Sequence, residues 1–133
     1  MQQFLTLLVL DERLRARRLQ AALALFTLII IAGSIPGARA EIGLVARGII
    51  LHSCAYAVLT FLVYTGSTGS ASARALRSVL TIALMGALDE LVQTLLPYRH
   101  GAFADWAVDV TASLLCALLL WAFLPAPVRR PAS

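Results

Sequence analysis

Four long runs of apolar residues, separated by short polar segments, dominate the hydropathy pattern of this chain. Each run is close to the length of about 20 residues that an α-helix needs to cross a bilayer. The runs predict four transmembrane helices at about residues 19–35, 42–64, 76–96 and 104–124. Glycine, serine and proline stand between them, as is typical of turns. We therefore expect an all-α membrane protein, a bundle of about four transmembrane helices.

The composition supports a lipid environment. The chain is 60% hydrophobic and 14% charged, whereas soluble domains are about a quarter charged. We expect one domain at residues 19–124, an interfacial or cytoplasmic N-terminal segment at 1–18 and a cytoplasmic tail at 125–133. The first run has an alternative interpretation as a secretory signal peptide, because Ala38-Arg39-Ala40 resembles a cleavage site.

The arginines predict how the bundle is oriented. All eleven basic residues are arginines, and they flank the apolar runs instead of forming the basic stripe of a nucleic-acid-binding protein. If the N-terminus is inside, most of them fall on the cytoplasmic side, as the positive-inside rule requires: Arg13, Arg15, Arg17, Arg18, Arg74, Arg77, Arg129 and Arg130. Both termini are therefore expected in the cytoplasm, and the protein in the cytoplasmic (inner) cell membrane as a multi-pass chain.

Polar residues recur at helical spacing inside three of the runs, near their predicted outer ends. Such stripes of small and polar residues are expected where membrane helices approach closely and hydrogen-bond. They are Gly48, His52 and Tyr56 in the second run; Gly86, Asp89, Glu90 and Gln93 in the third; and Asp105, Asp109, Ala112 and Cys116 in the fourth. We expect the stripes to face one another around a polar pocket open to the extracytoplasmic side, with Arg47 and Arg99 as countercharges.

The candidate binding site follows from these stripes, because a charge at the bilayer centre costs about 2.5–3.5 kcal/mol and suggests function by default. The candidates are Arg47, His52, Tyr56, Asp89, Glu90, Gln93, Arg99, Asp105 and Asp109. Structural alternatives remain open for several of them. Glu90 and Gln93 could serve interhelical hydrogen bonding, and Asp105 and Asp109 could cap or charge the N-terminus of their helix. His52 could be an interhelical donor with Tyr56 as its partner, and Arg99 a snorkelling interfacial side chain.

Catalytic and metal-binding signatures are weak. No HExxH, CxxC or G-x-S-x-G pattern occurs, so we expect no cofactor and no metal. A cluster of Glu90, Asp105, Asp109 and His52 that binds a divalent metal or performs acid–base chemistry is the remaining alternative.

The same polar residues also carry a family resemblance. The run Asp89-Glu90-x-x-Gln93-x-x-x-Pro97-x-Arg99, followed by Asp105-x-x-x-Asp109, is similar to the VanZ-like family of small membrane proteins. His52-x-x-x-Tyr56-x-x-Leu59 resembles the second-helix motif of that family, and Ser34-x-Pro36 the end of its first helix. The resemblance covers about residues 20–124. The chain departs from the family pattern at Gly48 and Ile49 (usually Asp-Lys), Tyr98 (glycine), Asp109 (asparagine) and Ala112 (glycine).

The resemblance implies a role at the cell envelope, since the family's namesake is associated with reduced susceptibility to the lipoglycopeptide teicoplanin. The leading expectation is a membrane protein whose outer polar site binds an anionic or lipid-linked envelope component. Its expected partners are the bilayer and that ligand, and nucleic acid is not expected. An intramembrane enzyme with Glu90 or Asp109 as acid or base, and a structural subunit without a site, are the alternatives.

Overall fold

The computed structural model describes residues 11–37, 48–99 and 101–124. A short 3-10 turn, Glu12–Leu14, leads into α1, and four α-helices follow in chain order. They are α1 (Arg15–Ser34), α2 (Gly48–Gly66), α3 (Ala71–Thr94) and α4 (Phe103–Phe123). These described residues include no β-strand. The all-α prediction is confirmed.

The helix ends differ from the prediction at the Gly/Ser-rich turn. α2 continues through Gly66, and α3 begins at Ala71, well before the apolar run starts. The Ser70 side chain caps α3 by accepting a hydrogen bond from the Ala73 N–H at 3.2 Å. Hydropathy alone misses this start because the first turns of α3 contain serine and arginine. At its other end α3 stops before Pro97, which cannot continue a helix.

The helices alternate in direction, and α2 and α3 form the centre of the bundle. α4 packs along both of them, while α1 packs mainly on α2 and touches α3. Two contacts fix the ends: the Trp121 indole donates to Ser72 Oγ at 3.2 Å, and the Tyr98 hydroxyl donates to the Ser34 carbonyl at 2.5 Å. We call the end that contains Arg15, Arg18 and Arg74 the arginine end, and the end that contains Asp89, Glu90 and Asp109 the acidic end.

The polarity of α3 is inverted relative to a soluble amphipathic helix, which buries its apolar stripe. Its buried positions are Arg74, Ser78, Ile82, Gly86, Asp89, Glu90 and Gln93. Its exposed positions carry a row of leucines: Leu76, Leu80, Leu84, Leu88, Leu91 and Leu95. Leucines on the other helices continue this apolar surface around the bundle. Such a surface is compatible with lipid contact, since monomeric soluble proteins rarely expose large contiguous apolar patches.

Three helical segments are long and apolar enough to cross a membrane: Glu12–Ser34, Gly48–Gly66 and Phe103–Phe123. They correspond to the first, second and fourth predicted spans, and they indicate a membrane protein. α3 is not one of the three.

Candidate functional site

A cavity of about 220 Å³ lies between α1, α2 and α3 at the acidic end. Apolar and small side chains form most of its wall, and five polar side chains interrupt it. The lining consists of Ile29, Ala32 and Gly33 from α1; Gly48, Leu51, His52, Ala55 and Tyr56 from α2; and Asp89, Gln93 and Arg99. A concave, mostly apolar site with a few convergent polar groups is typical of ligand pockets.

His52 and Asp109 form a buried pair that connects α2 to α4. His52 Nδ1 lies 2.9 Å from Asp109 Oδ1; the Asp109 side chain is 0% exposed and that of His52 is 16% exposed. Asp109 Oδ2 has no hydrogen-bond partner among the described residues. It packs against Gly86, where a Cβ atom would lie only 3.2 Å away. The absence of a side chain at Gly86 therefore makes room for the carboxylate between α3 and α4.

Tyr56 and Asp89 form a second polar contact on the cavity wall. The Tyr56 hydroxyl donates to Asp89 Oδ2 at 3.2 Å, and the tyrosine ring is parallel to the His52 ring at a centroid distance of 6.0 Å. Asp89 Oδ1 faces α1 at Gly33, 3.9 Å from where a Cβ atom would be. A small residue on α1 thus allows this carboxylate to approach the helix.

Arg99 lies at the cavity beside Gln93. Its Nη2 donates to Gln93 Oε1 at 2.5 Å, and its buried Nε has no hydrogen-bond partner among the described residues. Because the Gln93 amide restrains the guanidinium, the cation is positioned at the cavity wall with donor capacity remaining.

Glu90 lies outside the cavity lining, at the start of α4. Its Oε2 accepts a hydrogen bond from the Ala102 N–H at 2.5 Å. Ala102 is the N-cap residue of α4 and has no side chain that caps the helix, so a carboxylate from α3 satisfies a backbone donor there. Asp105 lies in the first helical turn of α4, inside the helix relative to the cap position. Both acids are placed where the positive end of the helix dipole favours negative charge.

The structure describes eight of the nine predicted site residues and distributes them over three environments. Five line the cavity, namely His52, Tyr56, Asp89, Gln93 and Arg99. Asp109 reaches it through His52, while Glu90 and Asp105 belong to the start of α4. Arg47 lies outside the described residues.

The polar stripe predicted on α4 differs from the buried face that the structure shows. The buried line of α4 runs through Asp109, Ser113 and Ala117, because this helix packs between α2 and α3. The predicted stripe members Ala112 and Cys116 instead line an apolar groove between α2 and α4, where the Cys116 thiol donates to the Ala57 carbonyl at 3.4 Å.

The contribution of α1 was missed by the sequence analysis, because polar residues were used to choose the helix faces. Ile29, Ala32 and Gly33 form the α1 wall of the cavity. The signal that could have found them is the run of small residues Ala32-Gly33-Ser34 at the end of the first apolar segment, since small residues mark close helix approach in membranes.

Sequence analysis also missed the structural use of the arginines. Arg18 Nη2 donates to the Thr65 carbonyl at 2.9 Å, and Arg74 Nε donates to the Tyr64 carbonyl at 3.1 Å. The Arg74 guanidinium also lies over the Tyr64 ring, 4.4 Å from its centroid. Arg18 and Arg74 are 9% and 2% exposed, so the arginine end of the bundle contains buried charge as well.

Residues 11–37, 48–99 and 101–124 contain no group of three or more His, Cys, Asp or Glu side chains placed to hold a metal ion. No protein-family model, curated protein or solved structure matches this chain.

Proposed function

We propose that this chain is a VanZ-like membrane protein of the cell envelope whose cavity binds an anionic, lipid-linked envelope component. The observation that carries the proposal is the position of Arg99. Gln93 restrains its guanidinium at a mostly apolar cavity, and its buried Nε has no hydrogen-bond partner among the described residues. An anionic group that enters the cavity would supply the missing acceptor.

The electrostatics of the lining support an anion in spite of the nearby acids. Asp89 already accepts a hydrogen bond from Tyr56, and Asp109 is paired with His52. Arg99 lines the cavity with no carboxylate bonded to it in the described structure. Guanidinium groups bind phosphate and carboxylate through charge-assisted hydrogen bonds, which are about twice as strong as neutral ones.

The size and polarity of the cavity favour an amphiphile. Its volume of about 220 Å³ is below the roughly 300–1,000 Å³ usual for sites that enclose a whole small molecule. A head group fits this space, while Ile29, Leu51 and Ala55 offer apolar contacts to the first part of an attached chain. The rest of the chain would remain in the surrounding lipid.

We further propose that α3 is a fourth transmembrane span and that both termini are cytoplasmic. α3 packs against the three apolar helices and presents leucines outward. The 24 residues of α3 correspond to a length of about 36 Å, enough for a hydrocarbon core of about 30 Å. The arginine distribution favours the cytoplasm for the arginine end, so the cavity would open to the extracytoplasmic side.

Direct lipid binding tests this proposal. The purified protein in neutral detergent is titrated with dioctanoyl phosphatidylglycerol or, as the uncharged comparison, dioctanoyl phosphatidylcholine. Arg99→Gln should weaken phosphatidylglycerol binding by about tenfold or more, as expected for loss of a charge-assisted hydrogen bond. Arg77→Gln is the matched control, because Arg77 is an exposed arginine at the other end that bonds Thr68. Equal affinities for the two lipids, or equal losses in the two variants, would refute binding at Arg99.

The envelope role is tested in cells, in a strain lacking the chromosomal copy and with membrane levels of each variant matched to wild type. Arg99→Ala should change susceptibility to a lipoglycopeptide such as teicoplanin. Glu90→Gln should leave it unchanged, because an amide oxygen can still accept from the Ala102 N–H. Loss of the phenotype in Glu90→Gln but only weakening in Arg99→Ala would favour acid–base chemistry by Glu90 over binding by Arg99.

A further inference from the structure

We propose that the His52–Asp109 pair takes up a proton with the anionic ligand, so that the protonated His52 serves as the second cation of the site. This inference rests on the proposed anion site at Arg99 and adds a stoichiometry to it: one anion enters with one proton.

The geometry of His52 supports this role. Its Nδ1 is engaged by Asp109 at 2.9 Å, and the residue also forms part of the cavity wall. Nε2 makes no hydrogen bond within the described parts of the chain. When the ring is doubly protonated, Nδ1 donates to Asp109 and Nε2 becomes a charged donor available to a ligand. His52 and Arg99 then contribute cations from α2 and from the segment after α3 to the same cavity.

The charged groups around His52 come from three of the helices and the α3–α4 connection. Asp109 and Asp105 belong to α4, Asp89 and Glu90 to α3, and Tyr56 lies one turn further along α2. Arg99 supplies the cation of the connection, and the α1 residues that line the cavity, Ile29, Ala32 and Gly33, are not titratable. Acids therefore outnumber permanent cations among the described groups at this end.

Because of this excess of acidic groups, proton uptake by the pair should accompany anion binding. The His52–Asp109 pair carries no net charge when it holds a proton and one negative charge when it does not, and the two groups titrate as a unit. An anion entering beside an unprotonated pair would also meet the neighbouring carboxyl groups of Asp89 and Glu90, with Arg99 as the opposing permanent cation among the residues that the structure describes. Uncompensated charge is costly in such surroundings. A protonated pair removes one negative charge and presents a donor, so ligand and proton must favour each other's binding reciprocally.

The test is the pH dependence of dioctanoyl phosphatidylglycerol binding between about pH 5 and pH 9, which includes the range in which histidine side chains usually titrate. The phosphodiester keeps one negative charge throughout, so the ligand contributes no titration. Affinity should be constant on the acid side, where the free pair already holds its proton. It should then fall as pH rises, by up to roughly tenfold per pH unit, which is the limit for uptake of one proton.

Calorimetry in buffers of different ionisation enthalpy measures the protons directly. Uptake should approach one proton per ligand on the alkaline limb and vanish in His52→Gln, whose amide still reaches Asp109 but does not titrate. The same variant should bind with an affinity that is weaker at acid pH and nearly independent of pH. The melting temperature of His52→Gln, compared with that of wild type, reports whether the variant is folded.

The outcomes separate this inference from the function on which it rests. The wild type could bind phosphatidylglycerol through Arg99 without proton uptake and without pH dependence. That result would overturn the proton inference and leave the binding proposal standing. An alkaline limb that persists unchanged in folded His52→Gln assigns the proton to another group and also overturns it. Absence of phosphatidylglycerol binding at every pH overturns both.

Discussion

The two ends of the bundle both bury charged side chains, but they use them differently. At the arginine end, Arg15, Arg18 and Arg74 direct side-chain donors at three successive carbonyls, those of Gly66, Thr65 and Tyr64. These carbonyls belong to the last turn of α2, where the helix provides no N–H four residues further on. The Tyr64 carbonyl also accepts from the Ser67 N–H at 3.3 Å. At the acidic end, the carboxylate of Glu90 accepts from the Ala102 N–H at the start of α4. The uncharged Tyr98 hydroxyl donates to the Ser34 carbonyl at the end of α1.

The other polar groups of the acidic end are not used to hydrogen-bond the backbone at helix ends. Asp89, Asp109 and His52 bond to other side chains, and Arg99 Nε, Asp109 Oδ2 and Glu90 Oε1 are buried without partners in the described part of the chain. The arginine end also contains a buried group without a partner among the described residues, the Tyr64 hydroxyl. At the acidic end, however, the cavity is lined by His52, Asp89 and Arg99, whereas the arginine side chains donate to backbone carbonyls. Burial of charge alone therefore does not identify a site in this bundle. Buried polar atoms that lack a hydrogen-bond partner and lie beside a cavity are the better criterion.

The largest effect should come from breaking the arginine end. Arg74→Met keeps an unbranched side chain but removes the donor to the Tyr64 carbonyl and the cation over the Tyr64 ring. Because Arg74 is 2% exposed, water has little access to the lost bond, and the Tyr64 carbonyl keeps the Ser67 N–H, at 3.3 Å, as its remaining donor. The free energy of unfolding in mixed micelles should fall by about 2 kcal/mol, typical of hydrogen bonds to charged groups.

Arg77→Met is the matched control for that variant, since Arg77 is exposed and bonds only to Thr68 among the described residues. Its stability should change by less than about 0.5 kcal/mol. Phosphatidylglycerol affinity should be preserved in both folded variants. Equal destabilisation of the two would contradict the structural role assigned to Arg74.

The connection between α3 and α4 at the acidic end also has a structural role. Gly101→Ala should test that role without changing a residue that lines the cavity. A Cβ atom at residue 101 would lie 2.5 Å from the Glu90 carbonyl oxygen and 2.5 Å from Thr94 Oγ1. The connection between α3 and α4 must therefore shift, which should lower the free energy of unfolding by about 1.5 kcal/mol, within the range for overpacked sites.

Gly33→Ala is the comparison for this second variant, because its new Cβ atom would meet only Asp89 Oδ1, at 3.9 Å. That distance is an ordinary contact, so stability should be unchanged within about 0.5 kcal/mol. A Gly101→Ala protein as stable as wild type would show that the close approach of Gly101 to α3 is not required.

The fold could be predicted largely from hydropathy. The places where that prediction fails have a physical cause. Helices that cross lipid must be long and apolar, so α1, α2 and α4 were recognisable from the sequence. The start of α3 was not, because Ser72, Arg74 and Arg77 lower the hydropathy of its first turns. In the structure Arg74 is buried against Tyr64, a contact that no local pattern in the sequence specifies.

The site could be predicted only where helical spacing determines the outcome. His52 and Tyr56 are one turn apart on α2, as are Asp89 and Gln93 on α3, and all four reach the cavity. Spacing could not tell that Asp89 lies in the cavity wall while its neighbour Glu90 contacts the start of α4. That division depends on the rotation of α3 between two neighbours, which is a property of the packed bundle.

Apart from the control variants, the smallest effect should come from Asp109→Asn, which tests whether the acidic end needs its buried charge for folding. The amide oxygen can replace Asp109 Oδ1 as the acceptor from His52, and an asparagine occupies this position in the family that the sequence resembles. Side-chain hydrogen bonds in membranes average about 0.6 kcal/mol, and removing a buried charge offsets part of any loss. The free energy of unfolding in mixed micelles should therefore change by less than about 1 kcal/mol, well below the effect of Arg74→Met. A loss as large as that of Arg74→Met would make Asp109 a structural group and remove the distinction between the two ends of the bundle.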